Sequence, residues 1–94
     1  MSEFAGLIEG QHEGKKAGFE PGGMSLRNCM IPHGPEAAVF GCASSEPLTP
    51  FKLVDTMAVM FESRYVIYPT IAALESPHLQ NDYVDCWRGL KRNF

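Results

Sequence analysis

The tetrapeptide Pro32-His33-Gly34-Pro35 limits the fold more than any other stretch of this chain. Pro32 has no N–H to give to a β ladder, so the segment before it, residues 24–31, must stop there. Pro35 suits the first position of a helix, so a new element is expected directly after it. The two prolines fix dihedrals on either side of His33. Gly34 removes side-chain bulk beside the ring and lets another group come near. A histidine held this stiffly either caps a turn by hydrogen bonding or aims a ring nitrogen at a fixed point such as a metal ion. The peptide alone leaves both roles open.

The rest of the chain is read by periodicity and punctuation. "SEFAGLIEG" has a short apolar run, Phe4 to Ile8, closing on Gly10, and predicts a strand entering a turn. Residues 10–25 are rich in glycine and charge and predict a long loop, either functional or packed against something outside it. "MSLRNCMI", residues 24–31, alternates imperfectly and predicts a second strand. "GPEAAVFGCAS" predicts a short helix with Pro35 at its first position and Glu36 at the positive end of its dipole. "SSEPLTPFKL" is a connection broken by prolines.

Residues 56–70 are apolar on both faces, which predicts a buried strand or hairpin. Ser76 and Pro77 have the form of an N-cap and first helical residue. Leu79, Tyr83, Trp87, Leu90 and Phe94 then follow at helical spacing and predict a C-terminal α-helix. Met24, Met30, Met57 and Met60 read as core fillers. The expected fold class is mainly β, with a short helix and a C-terminal α-helix. Strands with such apolar faces need a second sheet, so the segment reads as one end of a larger β-sandwich or barrel.

Composition narrows the function by exclusion. Net charge is −3, and no basic run exceeds "KK" or "KR", which argues against a nucleic-acid partner. No apolar run approaches the ~18 residues of a membrane span, and no signal-peptide pattern opens the chain, so a cytoplasmic location is expected. Cys29, Cys42 and Cys86 have no paired spacing and read as reduced thiols. Neither a P-loop nor a dinucleotide fingerprint occurs, and no Ser or Cys has a local base. Taken singly, Glu3, His12 and His78 read as solvated polar residues. Lys15 and Lys16 either do the same or steer an anionic substrate.

Four stretches together resemble a known family: "MSEFAGLIEG", "GFEPGGMSLRNCMIPHGPE", "TMAVMFESRYVI" and "DYVDCWRGLKRNF". They resemble the C-terminal end of homogentisate 1,2-dioxygenase. The likeness covers residues 1–94, as an incomplete C-terminal segment of a cupin-like domain of that type. It implies a partial cupin-like β-sandwich or jelly roll, from a family that assembles as trimers pairing into hexamers. It further implies an Fe(II)-dependent ring-cleaving dioxygenase of tyrosine and phenylalanine catabolism. That enzyme converts homogentisate and O₂ to maleylacetoacetate, with two histidines and one glutamate holding the iron.

By position, the glutamate ligand of the family's "MSEF" stretch is Glu3 here, and the histidine of its "PHGP" is His33. His33 would also border the substrate. The family's first histidine ligand and its catalytic base lie upstream of the position of Met1, so no catalytic base falls within this chain. The resemblance therefore implies that the segment alone is inactive. Two positions depart from the family's pattern near the substrate pocket. His12 stands where the family has tyrosine, and Arg27 where it has histidine. These departures raise two alternatives: a divergent aromatic substrate, or a non-catalytic cupin-like remnant.

Overall fold

The computed structural model describes residues 1–15 and 18–92; Lys16 and Phe94 fall outside them. Three strands, β1 (Ser2–Glu9), β2 (Met24–Arg27) and β3 (Met57–Ser63), form one antiparallel sheet in the order β2-β1-β3. Around it lie two short helices, α1 (Ala37–Ala43) and α2 (Ile71–Leu74), and a 3₁₀ turn at Tyr83–Trp87. The mainly β expectation holds.

The central strand carries the core. Ala5 and Leu7 are 3% and 2% exposed and share a face of β1 with Glu3. β1 is hydrogen-bonded on both sides, with Glu3 opposite Arg27 on β2 and opposite Glu62 on β3. A register shift between Leu7 and Glu9 ends the regular pairing with β3. Beyond it Gly10 takes φ +80° where β1 passes the Asp55–Thr56 backbone; a Cβ at Gly10 would lie 2.2 Å from the Asp55 carbonyl oxygen. Only glycine fits that approach.

β2 is shorter than its pattern predicted. It stops at Arg27, and Asn28 to Ile31 form a turn closed by the Ile31 N–H donating to the Asn28 carbonyl at 3.3 Å. Met30 occupies that turn with φ 68°. The physical reason is Asn28, whose side chain pairs with another segment instead of continuing the ladder. Its Nδ2 donates to the Ile67 carbonyl at 2.9 Å, and its Oδ1 accepts from the Ile67 N–H at 2.8 Å. Buried Ser2 closes the same joint. Its hydroxyl donates to the Tyr65 carbonyl at 2.6 Å and accepts from the Cys29 N–H at 3.1 Å.

Other expectations are corrected. α1 begins two residues later than predicted, at Ala37, with Glu36 as the N-cap and Pro35 outside the helix. Residues 56–70 are not a buried hairpin. Only Met57–Ser63 is strand, it lies at the edge of the sheet, and its side chains are largely exposed. The described residues supply one sheet, so no second layer covers that face. For the same reason Met24, Met57 and Met60 are exposed; Met30, in the turn after β2, is 98% exposed.

The C-terminal α-helix is replaced by two local turns. Ser76 caps a single turn, its Oγ accepting from the His78 N–H at 3.2 Å, and the chain does not propagate it. Asp82 then leads into the 3₁₀ turn Tyr83–Trp87, where the Tyr83 and Trp87 rings meet edge to face at 5.2 Å. A helix of that length in water depends on a packed face. Here Leu79, Val84 and Leu90 remain exposed. The sequence reading missed α2, whose Thr70 hydroxyl accepts from the Ala73 N–H at 3.2 Å as an N-cap. No helix among the described residues is long and apolar enough to cross a membrane.

Candidate metal centre

Glu3 and His33 meet at one point in space. The His33 Nε2 lies 2.8 Å from Glu3 Oε2. Two different elements bring them there. Glu3 is fixed by the doubly bonded central strand, on the face it shares with Ala5 and Leu7. His33 arrives on the arm that leaves β2 through the Asn28–Ile31 turn. Trp87 steadies the far side of that arm, its indole N–H donating to the Gly34 carbonyl at 3.2 Å. The His33 and Glu3 side chains are 25% and 22% exposed, so the pair borders solvent without being bathed in it.

The hydrogen-bond roles at His33 are restrictive. Its Nδ1 lies 3.0 Å from the Ile31 carbonyl oxygen, which can only accept. Nδ1 therefore carries a proton. Nε2 in turn faces a carboxylate oxygen, again an acceptor in its ionised form. With Nδ1 turned to the Ile31 carbonyl, Nε2 is the nitrogen left to face the Glu3 carboxylate. A carbonyl acceptor on the rear nitrogen is also how metal-ligating histidines are commonly oriented.

The donor set fits a divalent cation on chemistry and spacing. Two ligands at right angles on a metal with bonds near 2.1 Å are about 3 Å apart, close to the separation found here. The set is incomplete, however: among the described residues no group of three or more His, Cys, Asp and Glu side chains converges.

Arg27, across the sheet from Glu3, was singled out only as a departure from a family pattern. Its Nε lies 3.6 Å from Glu3 Oε2, within ion-pair range and beyond a hydrogen bond. That Nε is buried and has no hydrogen-bond partner among the described residues.

Arg27 also lines a cleft of ≈ 220 Å³ together with His12, Lys15, Phe19, Glu36 and Tyr83, among others. His12 packs edge to face on Phe19 at 4.9 Å, and its Nδ1 accepts from the Gly14 N–H at 3.1 Å. In a neutral ring this leaves the hydrogen on Nε2. The Lys15 ammonium sits 4.8 Å over the Tyr83 ring and donates to Gln80 Oε1 at 2.9 Å. His78 is exposed and joins neither the cleft nor the pair.

Asn28, Ser2 and Trp87 support the site and escaped the sequence reading. Asn28 alone carried a signal, as a turn-forming residue interrupting an apolar run. The Trp87 bond joins residues 53 positions apart, which no local pattern encodes.

Comparison with known proteins identifies the family of this chain. The family model described as "Homogentisate 1,2-dioxygenase C-terminal" matches residues 1–94. The homogentisate 1,2-dioxygenase of Bradyrhizobium diazoefficiens is 54% identical over 94 residues, all of this chain and 21% of that protein. Those of Rhizobium etli and Nitrobacter hamburgensis are 55% and 53% identical over the same span, again 21% of each. The chain thus spans about a fifth of the length of the curated relatives it matches. A match along its whole length shows that the chain belongs to the homogentisate 1,2-dioxygenase C-terminal family.

Proposed function

We propose that this segment supplies Glu3 and His33 as two of three protein ligands to a ferrous ion in a ring-cleaving dioxygenase. In this reading the complete protein converts homogentisate and O₂ to maleylacetoacetate, in a cytoplasmic homo-oligomer of trimers pairing into hexamers. The observation that carries it is the 2.8 Å approach of an imidazole nitrogen and a carboxylate oxygen, with the rear of the imidazole held by a carbonyl. A third donor, a histidine upstream of Met1, completes the set. Two imidazoles and one carboxylate on one face of iron leave positions open for a chelating substrate and for O₂.

Glu3 and His33, with the third donor, would hold Fe(II), which would supply a route for electron density from the aromatic diol to O₂. Both oxygen atoms end in the product, so the reaction needs no external reductant. The residues of this chain prepare that chemistry. Ile31 and Trp87 hold the His33 arm so that Nε2 faces inward. β1 holds the carboxylate of Glu3 opposite it. The Arg27 guanidinium sits beside that carboxylate and extends the site into the cleft.

A second reading, a divergent aromatic substrate within the same reaction type, is favoured by the presence of both His12 and Arg27 in the cleft wall. The test uses the complete protein that carries this segment, reconstituted with Fe(II) under anaerobic conditions. Iron near one equivalent per chain and homogentisate-dependent O₂ uptake are expected, and both should be lost in Glu3→Ala and His33→Ala. Full iron content in both variants would remove the assignment.

A further inference from the structure

We propose that Arg27 anchors an anionic group, a carboxylate, of the small aromatic molecule that occupies the cleft beside Glu3 and His33. The aromatic class of the ligand rests on the dioxygenase reading above. The anion subsite rests on the setting of Arg27.

That setting has an unmet donor. The Arg27 side chain is 13% exposed, and its Nε is buried with no hydrogen-bond partner among the described residues. Buried N–H groups of native proteins almost always have an acceptor. Glu3 does not serve as one, because 3.6 Å is too long for a hydrogen bond. A carboxylate oxygen drawn into the cleft that Arg27 lines would satisfy it once the guanidinium turns Nε toward the opening. The planar guanidinium suits that partner better than an ammonium would, since two of its N–H groups can meet two oxygens.

The cleft wall matches such a ligand. Of its charged lining residues Lys15 and Arg27 are cationic and Glu36 is anionic, and Glu36 has a partner of its own. The balance is positive. Phe19 and Tyr83 add two aromatic rings against which a flat ring can lie. Arg27 borders both the cleft and Glu3, so a molecule held there by its carboxylate would have that end nearest Glu3 and its ring in the part of the cleft that Phe19 and Tyr83 line.

The experiment is anaerobic calorimetric titration of the complete, iron-loaded protein with 2,5-dihydroxyphenylacetate and with its primary amide, which has the same shape and no charge. The wild type should bind the acid roughly tenfold to a hundredfold tighter than the amide. Arg27→Gln and Arg27→Met should bring the two within about twofold, chiefly by weakening the acid, while the amide Kd and the urea midpoint change little. An unaltered acid-to-amide ratio in either folded variant would overturn the proposal. So would a wild type that binds both alike, or neither, and that result needs no variant. Admitting air afterwards separates the two ideas. If neither compound is oxygenated, the dioxygenase reading falls while the Kd ratio still decides the role of Arg27.

Discussion

The side-chain amide of Asn28 pairs with both backbone groups of Ile67, donating to its carbonyl at 2.9 Å and accepting from its N–H at 2.8 Å. One side chain thus does the work of a neighbouring strand residue. It joins the end of β2 to the segment after β3, at the point where the His33 arm departs. Asn28→Ala should leave both Ile67 groups without this partner and cost about 1–3 kcal/mol, read as a lower urea midpoint of the complete protein. Asn28→Asp should also destabilise, since a carboxylate would face the Ile67 carbonyl oxygen. A midpoint unchanged in both would show that the joint carries no stability.

Gly10 should tolerate no side chain. Its φ of +80° and the 2.2 Å approach of a Cβ to the Asp55 carbonyl oxygen force the backbone apart in Gly10→Ala. The expected cost is about 1–3 kcal/mol, seen as a fall of several degrees in Tm. Gly22, where a Cβ would meet nothing within 4 Å, is the control: Gly22→Ala bears only the cost of its positive φ.

Trp87→Phe keeps an aromatic ring beside Tyr83 but removes the donor to the Gly34 carbonyl. Stability should fall by about 0.5–1.5 kcal/mol. Because Gly34 adjoins His33, Co(II) affinity of the complete protein should fall as well, by up to roughly tenfold, as for supports behind a metal ligand. Spectrophotometric Co(II) titration checks this. Loss of stability with unchanged affinity would make Trp87 a packing residue only.

The isolated 94-residue chain, given Fe(II) and ascorbate, should show no detectable ring cleavage of homogentisate by absorbance of the ring-opened product. Two converging donors among the described residues are too few to retain the ion. Robust turnover would mean that no donor from upstream is needed.

The sequence made the central strand and the His33 frame legible because both are written in local chemistry. Phe4 to Ile8 is an apolar run ending in glycine, and two prolines can bracket a histidine in few ways. The meeting of Glu3 with His33 was reached through likeness to a family, since no periodicity links positions 30 residues apart. What misled was apolar pattern read as burial. Met24, Met57 and Phe61 carry the signature of a core, yet they lie open because one sheet has no opposing layer among the described residues. The stripe from Leu79 to Leu90 failed in a related way. Helical spacing needs a surface to pack on, and the chain settled into short turns held by Ser76 and by the Tyr83–Trp87 ring contact.

The two halves of the pair are mounted unequally. Glu3 rides on a strand laced to both neighbours, so displacing it means breaking two ladders at once. His33 hangs from an irregular arm secured by a few separate bonds. The arrangement works as a vice with one fixed and one travelling jaw. A change in the separation of the two side chains would be taken up almost wholly by the histidine side.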